Sequence, residues 1–164
     1  MNMKLLLNSG KVIENPTPDN IREILNQSDD FWRYGEADIK TDKDHIIFNR
    51  NEKYGYFILD KNYNKAPLGN EEDKNLFVVY GKAWWDAYLF PLCCHLTYSQ
   101  VENILLHFIQ YTELIDYEKW YNIYEIQNHE LELMRRTVEV MKNCKHGEIL
   151  RIEGENVIKF NIKK

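Results

Sequence analysis

Serine is scarce in this chain: positions 9, 28 and 99 hold all of it in 164 residues. None stands in a Gly-x-Ser-x-Gly elbow, which leaves no signature of a serine hydrolase. Cysteine is equally sparse, at Cys93, Cys94 and Cys144. An odd number with two adjacent makes a poor disulfide framework and points to a reducing compartment. The 7 glycines are scattered, with no phosphate-cradling loop. No apolar run approaches the length of a membrane helix. The opening MNMKLLLNSG has too short an apolar stretch for a signal-peptide core, so the expected location is the cytoplasm, without a membrane partner. An excess of basic residues is missing too. With 21 Lys and Arg against 26 Asp and Glu, the net charge is −5 and the pI about 5.6. That balance argues against nucleic acid as a partner, because such binding works by neutralising phosphates.

What the chain has in quantity is aromatic. It carries 11 Tyr, 7 Phe and 4 Trp, and these rings either fill a core or furnish a contact surface. An acidic, aromatic-rich chain of this length reads as one domain, residues 1–164, with a core large enough to need neither disulfide nor metal.

The periodicities predict an α+β fold: a mostly antiparallel sheet of five or more strands, packed by two to three amphipathic helices. Lys4 to Leu7 is a short strand. Thr17 is a helix N-cap with Pro18 at the first helical position and Asp19 in the first turn, and Ile21, Ile24 and Leu25 form the apolar stripe. Ser28-Asp29-Asp30 reads as a turn. His45–Asn49 and Tyr54–Asp60 are strand-like, joined by a hairpin-like connection. Residues 61–74 form a loop marked by Pro67 and Gly69. Leu76–Tyr80 is a buried strand, and 83–92 another. Ser99-Gln-Val-Glu102 has the pattern of a capping box, followed by Val101, Ile104, Leu105, Phe108 and Ile109 at helical spacing. Residues 116–124 make a short helix or turn around Trp120. A third helix spans roughly 128–143, with Leu131, Met134, Val138 and Met141 on its apolar face. The segments 148–153 and 157–162 alternate apolar and polar residues and close as a hairpin.

Few side chains are spaced for chemistry. Cys93-Cys94-His95 lacks the two-to-four-residue separation of a tetrahedral zinc site and has no second Cys/His pair, so no metal or other cofactor is expected. A reactive thiol there needs an electropositive setting, and only His95 stands near in sequence. His129-Glu130 lacks the second His of a zincin helix. His45, His107 and His146 read as surface or half-buried histidines. Carboxylates form three local groups: Asp29 and Asp30; Glu36, Asp38, Asp42 and Asp44; Glu71, Glu72 and Asp73. Lying in loops beside aromatic residues, they are better suited to meet a basic protein partner than to act as an acid–base pair. Glu36, Asp38, Glu71, Glu72 and Asp73 are therefore the candidate contact carboxylates. Trp32, Trp84 and Trp85 are the candidate anchors, with core packing as the alternative for each.

Two segments carry a family resemblance. IENPTPDNIREIL (13–25) and LTYSQVENILLHFIQYTELIDYEKW (96–120) flank strand-like runs such as GYFILD (55–60) and LFVVYGK (76–82). This arrangement resembles the polymorphic-toxin immunity proteins, family numbered one, with Asn15-Pro16-Thr17, Phe108, Tyr111 and Trp120 in the motif places. The chain lacks the Gly-rich turn often found in that family's middle strands, and residues 121–164 have no counterpart in it. The resemblance implies a bacterial, cytoplasmic, non-catalytic protein whose partner is a cognate protein toxin, bound and blocked. Two other readings remain open on the residues alone. One is a small interaction module or homodimer, the other an enzyme or small-molecule binder.

Overall fold

The computed structural model describes residues 2–33, 35–61, 65–70, 74–81, 88–123, 131–154 and 156–160, apart from the side chains of 131–134. Among them are four α-helices and eleven strands arranged in two antiparallel sheets. The expected α+β class is what the chain adopts. The chain divides into two compact units, Met1–Gly69 with His95–Asn122 and Asn70–Cys94 with Ile123–Lys164.

The first unit holds a seven-stranded sheet in the order β2-β1-β3-β4-β5-β6-β9. Its strands are β1 (Lys4–Leu6), β2 (Val12–Glu14), β3 (Ala37–Lys40), β4 (His45–Asn51), β5 (Gly55–Asp60), β6 (Lys65–Ala66) and β9 (Tyr121–Asn122). Alternation sorts the side chains of each strand onto two faces. Leu5, Ile39, Ile46, Phe48 and Ile58 are fully buried and share a core with Ile21, Ile24 and Leu25 of α1 (Pro18–Leu25) and Val101, Leu105 and Phe108 of α3 (Tyr98–Tyr111). The two helices also meet through polar contacts at the rim. Arg22 Nε lies 3.4 Å from Glu102 Oε2, and Asn26 Nδ2 donates to Tyr98 Oη at 3.2 Å. Tyr56 Oη donates to the Leu25 carbonyl at 2.6 Å, tying β5 to the end of α1.

Local chemistry explains most of these elements. Thr17 caps α1 as its sequence predicts, and Asn20 completes the reciprocal box. At α3 the expected cap is corrected. Thr97 is the N-cap and Gln100 its partner, two residues before the Ser99–Glu102 pair, so Ser99 lies inside the helix. Both pairs have the spacing of a capping box. The earlier one wins because Thr97 keeps the extended backbone of a cap, and Gln100 also reaches the Gly69 carbonyl at 2.8 Å.

Five elements have no forecast in the periodicity: β2, β3, α2 (Asp29–Arg33), β6, which lies inside the expected loop 61–74, and β9, which lies inside the expected helix or turn at 116–124. Each spans five residues or fewer, too few to show a period.

The second unit has a four-stranded sheet in the order β11-β10-β7-β8. Its strands are β7 (Leu76–Tyr80), β8 (Tyr88–Pro91), β10 (Ile149–Glu153) and β11 (Asn156–Phe160). β10 and β11 form the closing hairpin expected from the alternation. α4 (Leu131–Met141) contributes Val140 and Met141 to a core with Val79, Leu89, Leu150, Val157 and Cys144. Its apolar face differs from expectation. Val138 is 37% exposed, while Thr137 is buried. Counting four back from Met141 gives the buried row, and Val138 falls one position to the side of it.

Backbone passes backbone closely where α3 begins. Tyr56 and Leu96 exchange two hydrogen bonds, at 3.0 and 2.6 Å. A Cβ on Gly55 would lie 2.5 Å from the Leu96 oxygen, and one on Gly69 would lie 1.9 Å from the His95 oxygen. We predict that Gly69→Ala destabilises the protein by about 1–3 kcal/mol by overpacking. Gly10→Ala meets nothing within 4 Å and carries only the cost of its positive φ, about 1 kcal/mol. Equal shifts in denaturant midpoint for the two would disprove the close approach.

Leu105→Ala or Phe108→Ala should each cost about 2–5 kcal/mol, because both side chains are fully buried. His107→Ala, whose partly exposed ring sits 3.7 Å from Glu113, should cost under about 1 kcal/mol. Urea titration of the three variants orders them.

Candidate functional site

The face of the seven-stranded sheet turned away from α1 and α3 carries an ordered cross-strand row. Pairing aligns Val12, Leu6, Asp38, Ile47 and Leu59 across β2, β1, β3, β4 and β5. Val12 is 50% exposed and the other four are half-buried. An aliphatic row with a carboxylate at its centre is unusual for a face not packed by the unit's own helices. Burying a charge is costly unless a partner meets it, and here the partner is present. His45 Nε2 lies 2.8 Å from Asp38 Oδ2. The two side chains are diagonal neighbours, since Asp38 stands opposite Ile47 while His45 stands opposite Lys40.

A second row runs beside the first, with Glu14, Lys4, Lys40 and His45 in register. Lys4 and Glu14 approach to 3.9 Å at an exposed edge. The face therefore combines an aliphatic stripe, one hydrogen-bonded Asp–His pair and charges of both signs. This arrangement can recognise a protein surface through apolar burial, with polar groups to fix the register.

The candidate contact residues distribute unevenly. Asp38 lies in this face. Glu36 is exposed and immediately precedes β3. Glu71, Glu72, Asp73, Trp84 and Trp85 lie outside the described residues. Trp32 is a core residue, which corrects its reading as a partner anchor. It is 4% exposed, and its ring meets Phe31 edge-on at 4.9 Å, Phe48 at 6.0 Å and Tyr56 at 6.3 Å. The short helix α2, unforeseen in the sequence, is what turns Trp32 inward.

Sequence reasoning missed Leu6, Ile47 and Val12 as surface-forming residues, and read His45 as a surface residue without its Asp38 partner. The signal was the alternation around Ala37 and Ile39, which places Asp38 on the opposite side of β3 from two buried residues.

The cysteines offer little to a reactive-thiol reading. Cys93 and Cys94 are fully buried. Hydrogen bonding with Cys93 and then burial push the Cys94 thiol far above its ordinary range, so it stays protonated. Among the described residues, no group of three or more His, Cys, Asp and Glu side chains is placed to hold a metal ion. Nor is any described helix long and apolar enough to cross a membrane.

Trp32→Ala should destabilise the protein by about 3–5 kcal/mol through cavity formation. Its buried Nε1 has no hydrogen-bond acceptor among the described residues, so Trp32→Phe should cost far less. Thermal unfolding of both variants tests this. A Trp32→Ala protein as stable as wild type would return Trp32 to the surface.

Comparison with protein families, with curated proteins and with solved structures found no match to this chain.

Proposed function

We propose that this chain is a non-catalytic immunity-type protein of the bacterial cytoplasm, which binds a cognate protein toxin and blocks it through the β1–β5 face. The observation that carries the reading is the row Val12, Leu6, Asp38, Ile47 and Leu59, aliphatic residues flanking a half-buried carboxylate. A protein partner seated there would bury the aliphatic groups and present a cation or donor to Asp38, whose second oxygen can accept it while the first stays with His45. The family resemblance adds support of a different kind. Both of its flanking segments, 13–25 and 96–120, belong to the first unit, where α1 packs on α3. Their motif residues thus build the scaffold that holds the sheet, leaving partner choice to the opposite face. The run 76–82 belongs to the other unit.

The test is co-expression with the toxin domain encoded immediately upstream. The wild-type chain should bind and protect. The double variant Val12→Glu, Asp38→Lys should bind about tenfold or more weakly, a loss of roughly 1.4 kcal/mol or more. Circular dichroism should show it folded, since Val12 lies on an edge strand and is half exposed. A wild-type chain that neither binds nor protects would end the immunity reading. Full affinity in the double variant would end the assignment of this face.

A further inference from the structure

β11 is the edge strand of the four-stranded sheet, paired only on its β10 side among the described strands. On the other side of β10, Ile152 donates to the Asn75 carbonyl at 2.9 Å. Antiparallel alternation then turns the backbone groups of Ile149, Arg151 and Glu153 toward β11, where their partners are Phe160, Ile158 and Asn156. The N–H and C=O groups of Val157 and Lys159 are left pointing outward. α4 does not close this edge, since a groove of about 570 Å³ lies between helix and strand. At the centre of the strand Ile158 is 53% exposed. It lies on the face away from α4, because Val157, one residue before it, packs into the α4 core. Half-buried Phe160 shares that face, in a row with the buried Ile149, Val78 and Phe90. A row of core side chains thus runs out to an open, apolar edge, a feature natural sheets usually protect.

We infer that β11 pairs with β11 of a second copy of this chain, antiparallel about a two-fold axis at Ile158, so that the two four-stranded sheets become one continuous sheet. The strand's own sequence, Asn-Val-Ile-Lys-Phe, selects this occupant and this register. Only groups that point outward can bond across the seam, so Val157 and Lys159 must find their partners among the same two residues of the second copy. With the axis at Ile158, Val157 stands opposite Lys159 of the second copy, the reverse pair forms by symmetry, and all five residues of the strand are matched. An axis at Lys159 would set like charges against each other. An axis at Val157 would carry Lys159 and Phe160 past the start of the second copy's strand. At the chosen axis Ile158 faces its own equivalent at a non-hydrogen-bonded position, where cross-strand side chains lie closest, and Phe160 of the second copy is its diagonal neighbour. Lys159 brings no loose charge to the seam, because Glu148 holds its ammonium at 3.1 Å. This inference stands apart from the immunity reading, because β11 belongs to the second unit and shares no residue with the β1–β5 face.

The test is sedimentation of the full chain, which should show a concentration-dependent dimer. Ile158→Lys and Ile158→Glu should each weaken it about tenfold or more, since each sets two like charges at the axis. Mixed in equal amounts, the two variants should associate again, because opposite charges then meet across the axis. Circular dichroism should show both folded, Ile158 being half exposed. Hydrogen exchange should slow at the amides of Val157 and Lys159 as the chain concentration rises. The amide of Ile158, already turned toward β10, should change little. A chain that stays monomeric at about 1 mM would overturn the proposal. So would a dimer that neither charge weakens, or a pair of variants that stay apart on mixing. Slowed exchange at Val157 and Lys159 with another protein bound and the chain still monomeric would assign the edge to a foreign strand, and would overturn it as well.

Discussion

The contact on which the first unit depends is the passage of residues 95–96 against β5 and Gly69. The chain leaves this unit after Gly69 and returns at His95. On its return it must start α3 over the sheet, and Leu96 does this by exchanging two hydrogen bonds with Tyr56. Backbone at that distance leaves no room for a side chain, so glycine at 55 and 69 is a steric requirement. Thr97 then caps α3, and the Gln100 amide reaches back to the Gly69 carbonyl. Two glycines, a bridge and a cap thus fix where the longest described helix begins. That origin sets where Val101, Leu105 and Phe108 enter the core.

With α3 placed, the two faces of the large sheet take on different work. One face buries Leu5, Ile39, Ile46, Phe48 and Ile58 against the helices and supplies the unit's hydrophobic core. The other carries Val12, Leu6, Asp38, Ile47 and Leu59 in register, with His45 holding the Asp38 carboxylate. Because the side-chain period in a strand is two, a register slip of one residue would exchange the two sets. Core formation therefore also fixes the composition of the opposite face. The half-exposed residues there can be substituted with less cost to the core than their buried neighbours.

The second unit solves a smaller version of the same problem. Its core around Val79, Met141 and Leu150 forms on one side of the four-stranded sheet, with α4 across it. β11 closes the hairpin and leaves its outer edge beside Arg135 and Arg136. Ile158 on that edge is the kind of exposed aliphatic residue that natural sheets usually replace with a charge.

The sequence by itself determined the elements whose signals are local. Thr17-Pro18-Asp19 announces α1, and the run at 76–80 is a buried strand. The spacing of Val101, Leu105 and Phe108 announces α3, and alternation announces the β10–β11 hairpin. The fold class follows from these, as does the acidic, aromatic-rich character of the chain. Only the tertiary structure decided the rest. Three-residue β2, four-residue β3 and five-residue α2 are too short to carry a period, and neighbours select them. Trp32 shows the consequence, since a tryptophan in a polar stretch looks like an anchor until α2 turns it into the core. The capping box read at Ser99–Glu102 forms instead at Thr97–Gln100, where Gln100 also reaches Gly69. The candidate face was legible least of all. The row on the large sheet joins residues from five strands, and such neighbours are brought together by pairing register rather than by spacing along the chain.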